Sequence, residues 1–311
     1  MNYYLGVDLG GTNIAVGLVD EQYNLLKKKS SPTPQNADSD TLAKAIKMTA
    51  DLLLNEMNIS LAQVVCLGVG TPGQVDTAKG EVVFACNLGL RNAPLGGALK
   101  KEFGIDSFLC NDADAAAFGE SVAGAAKGST SSVTVTLGTG VGCGVILNGK
   151  ILPGEGGHIT LVHNGHPCNC GRKGCFESYA SATALIRQTR EAMQNDKSSL
   201  MWQMVGVLEK VSGRTAFEAA RKGDATAIKV VDGYIDYVSA GIISIINLIQ
   251  PEVVCIGGGI SGEGEILAGP VRKRVHAEQY PLMDQTFSRV EICRLGNDAG
   301  IIGAAVFGRY L

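Results

Sequence analysis

At 311 residues, with 45% hydrophobic and 18% charged side chains, the chain has a globular composition with room for one large domain or two ordinary ones, which excludes disordered and fibrous classes. A net charge of −3 gives no electrostatic reason to expect nucleic acid or an anionic membrane as partner. The 41 glycines are clustered rather than spread, which marks backbone that turns tightly or approaches something closely.

The opening MNYYLGVDLGG has neither a basic nor an apolar leader region, so no secretory signal is expected and the chain reads as cytoplasmic. A strand at Tyr3–Val7 runs through glycines into a second at Ile14–Val19. A helix at Thr41–Glu56 leads to a strand at Val64–Val69. Helix Leu95–Phe103, strand Ser107–Cys110 and helix Ala113–Ala126 follow. The pattern then resumes with strands Val133–Leu137 and Gly142–Leu147 and helices Ala180–Met193 and Ala225–Ile249. Strand Val253–Ile256, helix Ile266–His276, strand Val290–Leu295 and helix Ala299–Tyr310 close the chain. In the longest helix Ile228, Val231, Ile235, Val238, Ile242, Ile245 and Ile249 step by three or four residues, giving one apolar stripe. The longest apolar run, Val238–Ile249, is shorter than the roughly 20 residues a membrane crossing needs. The alternation of strands and helices predicts an α/β protein.

An internal repeat organises this order. Val7-Asp8-Leu9-Gly10 is echoed by Val135-Thr136-Leu137-Gly138, and Val64-Val65-Cys66-Leu67-Gly68 by Val253-Val254-Cys255-Ile256-Gly257. Two similarly built domains are expected, 1–112 and 113–298, with the helix at 299–311 packing back on the first. The cleft between such halves is where a ligand is expected.

Asp8-Leu9-Gly10-Gly11-Thr12-Asn13 joins the first two strands. Bare glycines let backbone N–H groups converge on an anion, Thr12 and Asn13 add side-chain donors, and Asp8 can hold Mg²⁺ through water. A plain hairpin turn is the competing reading. It is not a Walker A loop, since no Gly-Lys-Ser/Thr follows. Gly138-Thr139-Gly140, in the second half, repeats the device. Gly257-Gly258-Gly259 follows a buried strand and suits backbone passing a flat nucleotide base. Asn111-Asp112-Ala113-Asp114 stands where a strand meets an Ala-rich helix, and its local reading is a helix N-cap.

The nine cysteines are an odd number, against a fully paired disulfide framework. Cys66, Cys86, Cys110, Cys143, Cys255 and Cys293 read as small buried hydrophobes. Cys168, Cys170 and Cys175 crowd one glycine-containing loop and supply three corners of a tetrahedral zinc site. His158, His163 and His166 all lie close enough in sequence to be the fourth.

Taken together, the Asp-x-Gly-Gly-Thr hairpin, the Leu-Gly-Thr-Gly-x-Gly turn, the Gly-Gly-Gly-Ile-Ser segment and the Cys-x-Cys-Gly-x-x-Gly-Cys-x-Glu loop resemble the ROK family, from Asp8 to Gly300. That family holds bacterial glucokinases, related sugar kinases and transcriptional repressors. The resemblance implies the actin-like (ribonuclease H-like) two-domain sugar kinase fold, ATP and Mg²⁺, a structural Zn²⁺, and a hexose acceptor. It implies that Asp112 is the general base, and that Gly73, Asn87, Asn111, Asp112, Glu155, His158 and Glu177 bind the sugar. It implies that Asp8, Gly10, Gly11, Thr12, Asn13, Gly138, Thr139, Gly140, Gly257, Gly258 and Gly259 bind the nucleotide. It chooses His158 as the fourth zinc ligand and implies a homodimer or homotetramer. Asp112 needs no raised pKa for its role, since an ionised carboxylate aimed at the hydroxyl suffices.

Two departures from the family pattern stand out. The stretch from Asn148 to Glu155 is short where relatives carry a longer Gly-rich segment, and Leu90 stands where a Trp is common. Besides glucose, the acceptors considered are mannose, fructose, allose, N-acetylmannosamine, N-acetylglucosamine and β-glucosides. A sugar-sensing repressor is the alternative of a different class. It is disfavoured because only seven residues precede Asp8, too few for a helix-turn-helix, and no basic patch is present.

Overall fold

The computed structural model describes residues 2–280 and 288–309. The final residue of the expected helix Ala299–Tyr310 lies outside them. In chain order β1 (Tyr3–Leu9), β2 (Asn13–Val19), β3 (Leu25–Pro32) and α1 (Ser39–Met57) come first. Next are β4 (Val64–Thr71), β5 (Gln74–Asp76), β6 (Glu81–Ala85), β7 (Leu90–Ala93), α2 (Leu95–Phe103), β8 (Asp106–Asn111) and α3 (Asp112–Ala123). The rest are β9 (Ser131–Leu137), β10 (Val141–Leu147), β11 (Lys150–Leu152), α4 (Glu177–Ala180), α5 (Ala182–Asn195), α6 (Leu200–Val205), α7 (Thr215–Arg221), α8 (Ala225–Ile249), β12 (Val253–Gly257), α9 (Glu265–Glu278), β13 (Arg289–Ile292) and α10 (Ala299–Phe307).

The repeat read from the sequence is a repeat of topology. One five-stranded sheet runs β3-β2-β1-β4-β8 and the other β11-β10-β9-β12-β13, each position in one matched in the other; β5, β6 and β7 form a small third sheet. Strand β4 pairs parallel with both β1 and β8, and β12 pairs parallel with both β9 and β13. The chain divides into two compact units, one of Met1–Thr130, Gly144–Leu152 and Arg294–Leu311, the other of Ser131–Cys143 and Pro153–Cys293.

Strands β3, β5, β6, β7 and β11 and helices α4, α6 and α7 were not marked by the sequence, and three of the departures have identifiable reasons. Strand β3 reads LLKKKSSP and lies at the sheet edge, where lysines guard against pairing with another chain and erase the apolar alternation. Strand β11 closes a two-residue hairpin through Asn148 and Gly149, both with positive φ (52° and 72°), so the short 148–155 stretch is in part a strand on β10. The expected helix from Ala180 begins earlier and breaks: α4 ends at Ala180 and Ser181 caps α5 by accepting from the Ala184 N–H.

Strand alternation in the first unit sorts side chains onto two faces. Leu5, Val7, Leu9, Leu67 and Val69 join Leu42, Ile46 and Leu53 of α1 and Leu95 and Leu99 of α2 in one core. The opposite face receives α10 through glycines. Gly17, Gly6 and Gly68 are cross-strand neighbours on β2, β1 and β4. A Cβ at Gly6 would lie 1.9 Å from the Ile301 carbonyl oxygen, and one at Gly68 would lie 1.7 Å from that of Ala304. The helix backbone therefore rests on the sheet backbone, which only glycine permits. Of the cysteines read as buried hydrophobes, Cys66, Cys110, Cys143 and Cys255 are buried, but Cys86 is exposed and Cys293 half-buried. Among the described residues, no helix is long and apolar enough to cross a membrane.

Candidate functional site

In the first unit the turn between β1 and β2 is pulled back by residues the sequence did not flag. The Gly10 N–H closes the turn on the Asn13 carbonyl at 2.9 Å. The Thr33 hydroxyl donates to the Gly10 carbonyl at 2.7 Å, the Thr33 N–H to the Thr12 carbonyl at 3.0 Å, and the Gln35 amide to the Gly11 carbonyl at 3.0 Å. A peptide held by its carbonyl turns its next N–H the opposite way, so the Gly11, Thr12 and Asn13 amides are aimed away from Thr33 and Gln35. Thr33 and Gln35 follow an edge strand in a Pro-punctuated loop, and nothing local in the sequence marks them.

Gly11 is bare because Asn87 occupies its flank: a Cβ there would lie 2.8 Å from the Asn87 carbonyl oxygen. Asn87 stands in a short 3-10 turn, Cys86–Leu88, after β6. Gly73 has φ +91° and no room for a Cβ, which would meet the Phe84 carbonyl oxygen at 2.1 Å. The Asn111 amide donates to the Gly73 carbonyl at 2.8 Å, while its oxygen accepts from the Ala113 N–H at 2.8 Å and the Asp114 N–H at 3.4 Å as the N-cap of α3. The local N-cap reading is thus realised, and the same side chain anchors Gly73. Leu90 is buried in the small sheet.

Asp112 begins α3 and its Oδ1 accepts the Ala113 N–H at 2.8 Å. Gly70 lies between Asp112 and β1, since a Cβ there would be 3.7 Å from both the Asp112 Cα and the Val7 carbonyl oxygen. Protein packed around the accessible Asp112 carboxyl removes water from it and raises its pKa, against the lowering by the Ala113 N–H. Asp8 is raised as well, first by burial and then by repulsion from Asp112. The expectation that Asp112 would need no raised pKa meets a structure in which burial supplies one. The two carboxylates form an electrostatic pair beside the glycine turn, a place where a cation is favoured and where proton affinity is tuned.

In the second unit the three loop cysteines and His158 come together: one ligand atom from each of His158, Cys168, Cys170 and Cys175 lies within 4.8 Å of all the others. Cys170 and Cys175 sulfurs are 3.7 Å apart, and Cys168 Sγ is 3.6 Å from His158 Nδ1. Tetrahedral bonds of about 2.3 Å to sulfur imply ligand separations of roughly 3.8 Å, so the donor set fits zinc in kind and spacing. The His158 ring presents Nδ1 to the sulfurs, which leaves Nε2 for another partner. Burial, then the neighbouring thiols, pushes the Cys175 thiol up to about 12, while the Cys170 thiol is lowered, chiefly by a backbone hydrogen bond from Arg172. Packed thiols cannot all ionise unless a cation offsets their charge. Arg172 also braces the site, donating to the His158 carbonyl at 2.9 Å and the Thr160 hydroxyl at 2.8 Å. The other two candidate histidines are engaged elsewhere, His163 with Asn164 and His166 with Arg187.

Glu155 is exposed and its carbonyl accepts the His158 N–H at 2.9 Å. Gly157 passes so close to β10 that a Cβ would meet the Val141 carbonyl oxygen at 2.0 Å. Glu177 starts α4 and accepts the Val141 N–H at 3.0 Å. At the 138–140 turn the Gly138 N–H closes on the Gly140 carbonyl at 3.0 Å. Gly258, with φ +79°, runs against Leu137, whose backbone would be 2.5 Å from a Cβ there; Gly257 meets Cys293, and Gly259 faces open space.

The model of the family described as "ROK family" matches residues 4–309. A glucokinase of Thermotoga maritima is 40% identical over 309 residues, which cover 97% of this chain and 95% of that protein. Among solved structures, a ROK family glucokinase from Streptomyces griseus in complex with glucose and AMPPNP is similar with a TM-score of 0.81 at 32% identity, covering 99% of both chains. A ROK hexokinase from Thermus thermophilus gives 0.80 at 33% identity, covering 98% of this chain and 97% of that one. The α/β architecture is accordingly the actin-like two-domain fold of the ROK sugar kinases.

Proposed function

The chain belongs to the ROK family, and from that premise we propose that it is an ATP-dependent hexose kinase with glucose as its leading acceptor. The Asp112–Asp8 carboxylate pair beside the Gly10–Gly11 turn is the observation that carries this reading. The named activities of the Thermotoga maritima and Streptomyces griseus relatives support it, as does the latter's glucose and AMPPNP complex.

The reaction is in-line transfer of the γ-phosphoryl group. A sugar hydroxyl oxygen forms a bond to the γ-phosphorus, the bond from that phosphorus to the bridging oxygen of ADP breaks, and the hydroxyl proton passes to Asp112. Asp112 begins α3 directly after its cap Asn111, and its Oδ1 accepts the Ala113 N–H, which limits the orientations its carboxylate must lose before taking the proton. Asn87, Asn111, Gly73, Glu155, His158 and Glu177 are proposed sugar contacts, since amides, carboxylates and an imidazole read hydroxyls at fixed angles. The Gly11, Thr12 and Asn13 amides, freed by the carbonyl anchors Thr33 and Gln35, are proposed phosphate donors. Val141 donates to Glu177, which leaves the Thr139 and Gly140 amides as the second turn's donors. Gly257, Gly258 and Gly259 are proposed neighbours of the base. Mg²⁺, held by Asp8 through water, would neutralise charge developing on the phosphates. Zinc on Cys168, Cys170, Cys175 and His158 would fix the loop that presents His158 and Glu177 and supply no chemistry.

Other hexoses and N-acetylhexosamines remain rival acceptors. Family resemblance also supports a homodimer or homotetramer, and use of Mg-ATP supports a cytoplasmic setting. The test is ADP release from Mg-ATP across a panel of these sugars, run on the wild type and on Asp112→Asn. Turnover with one sugar should fall by at least about a hundredfold in the variant, the scale of general-base loss. A variant with wild-type kcat would sink the assignment of Asp112, and silence of the wild type across the panel would sink the kinase.

A further inference from the structure

Three hydrogen bonds bind one short segment, Glu177–Thr183, to the glycine turn at 138–141. Glu177 Oε2 accepts the Val141 N–H at 3.0 Å, the Ala182 N–H donates to the Gly138 carbonyl at 2.8 Å, and the Thr183 hydroxyl donates to the Thr139 carbonyl at 2.8 Å. Gly140 is bare for the same reason: a Cβ would lie 2.3 Å from Glu177 Oε2. At its other end the segment is fastened to the cysteine cluster. Cys175 is two residues before Glu177, and the Cys168 sulfur is 3.7 Å from Glu177 Oε1. The arm that carries His158 reaches the same place, since Gly157 abuts the Val141 carbonyl. Val141 is therefore hydrogen-bonded at its N–H from the Cys175 side and closely packed at its carbonyl from the His158 side.

We propose that Glu177 is a positioning residue that couples the cluster of His158, Cys168, Cys170 and Cys175 to the Gly138–Val141 turn, so that the integrity of the cluster sets the order of the turn. The consequence for phosphate binding rests on the kinase reading above; the coupling itself does not. A hydrogen bond holds a backbone amide about tenfold more firmly than none. Glu177 spends that strength on the amide at which β10 begins. With the cluster intact, the turn is presented in one conformation. With it broken, Glu177 loses its footing and the turn loses its acceptor.

Amide hydrogen exchange on the full-length chain tests this, followed by mass spectrometry over peptides spanning 138–142. Glu177→Ala should speed exchange there about tenfold or more. Glu177→Gln, which keeps an acceptor oxygen, should return it to within about threefold. Cys170→Ser, at the exposed member of the cluster, should speed exchange in the same peptides as Glu177→Ala. In kinetics, Glu177→Ala should raise the KM for ATP, and the Gln variant should recover most of that loss. Unchanged exchange at 138–142 in Glu177→Ala, or in Cys170→Ser, overturns the coupling, as does an effect confined to the KM for sugar. Exchange raised uniformly along the Glu177→Ala chain and not rescued by Gln also overturns it, since that marks a fold defect. Failure of the kinase reading looks different: no ADP release from the wild type, whatever the exchange result.

Discussion

The carboxylate of Glu120, fully buried in α3, accepts the N–H of Leu295 at 2.9 Å and that of Arg294 at 3.1 Å, where the chain re-enters the first unit ahead of α10. The same carboxylate accepts the Ala125 N–H at 2.7 Å. One side chain thus satisfies three amides on two segments nearly 170 residues apart in sequence. Removing it leaves donors without partners, at about 1–3 kcal/mol each where water cannot replace it. Glu120→Ala should lower stability by about 3 kcal/mol, seen as a Tm loss of several degrees, and Glu120→Gln by less than half of that. An alanine variant that melts with the wild type would show that water replaces the carboxylate.

The glycine groove under α10 gives a paired expectation. Gly68→Ala places a Cβ 1.7 Å from the Ala304 carbonyl oxygen, between two backbones that cannot part without unseating the helix. A loss of about 3 kcal/mol or more is expected, at the severe end of overpacking. Gly97→Ala, inside α2 with nothing within 4 Å, should instead gain roughly 0.5–1 kcal/mol through a stiffer unfolded chain. Denaturant melts of the two variants read both signs, and equal effects would refute the close approach of α10.

The raised carboxyls of Asp8 and Asp112 carry a pH signature. A carboxyl whose folded pKa exceeds its unfolded value binds protons more tightly when folded. Its contribution to stability therefore declines as pH rises from the ordinary carboxylate range through the folded pKa. Asp112→Asn should melt above the wild type at neutral pH, with the gap closing in acid where the wild-type group is already neutral. The acid limb of kcat/KM should likewise lie above the ordinary carboxylate range, since Asp112 must be ionised to accept a proton. A gap that widens in acid would contradict the assignment of the shift to burial.

The fit of the cysteine cluster to zinc predicts about one zinc per chain by metal analysis. His158→Ala and Cys170→Ser should each lose it, and His163→Ala should keep it, because His163 is turned to Asn164. Retention in His158→Ala with loss in His163→Ala would move the fourth ligand. Chelation should lower the Tm of the wild type and leave that of Cys170→Ser unmoved.

The α/β class and the repeated pair of glycine-turn hairpins were legible in sequence because each rests on local chemistry. A strand announces its apolar run, a turn its glycines, and a thiol loop its spacing; α2 and α8 ran from Leu95 to Phe103 and from Ala225 to Ile249 as their apolar patterns foretold. Contacts made across long separations were not legible. Composition explained the glycines as turn formers or ligand approaches, yet Gly6, Gly17 and Gly68 are bare to seat a helix some 230–300 residues further on, and Gly140 to seat the Glu177 carboxylate. Thr33, Gln35 and Glu120 carry no local mark, because their value comes from carbonyls and amides that only folding brings near. Spacing left three histidines open as the fourth cluster ligand, and the tertiary fold turned one of them toward the sulfurs. Sequence determines what each residue can offer; which offers are taken up depends on backbone that arrives from elsewhere in the chain.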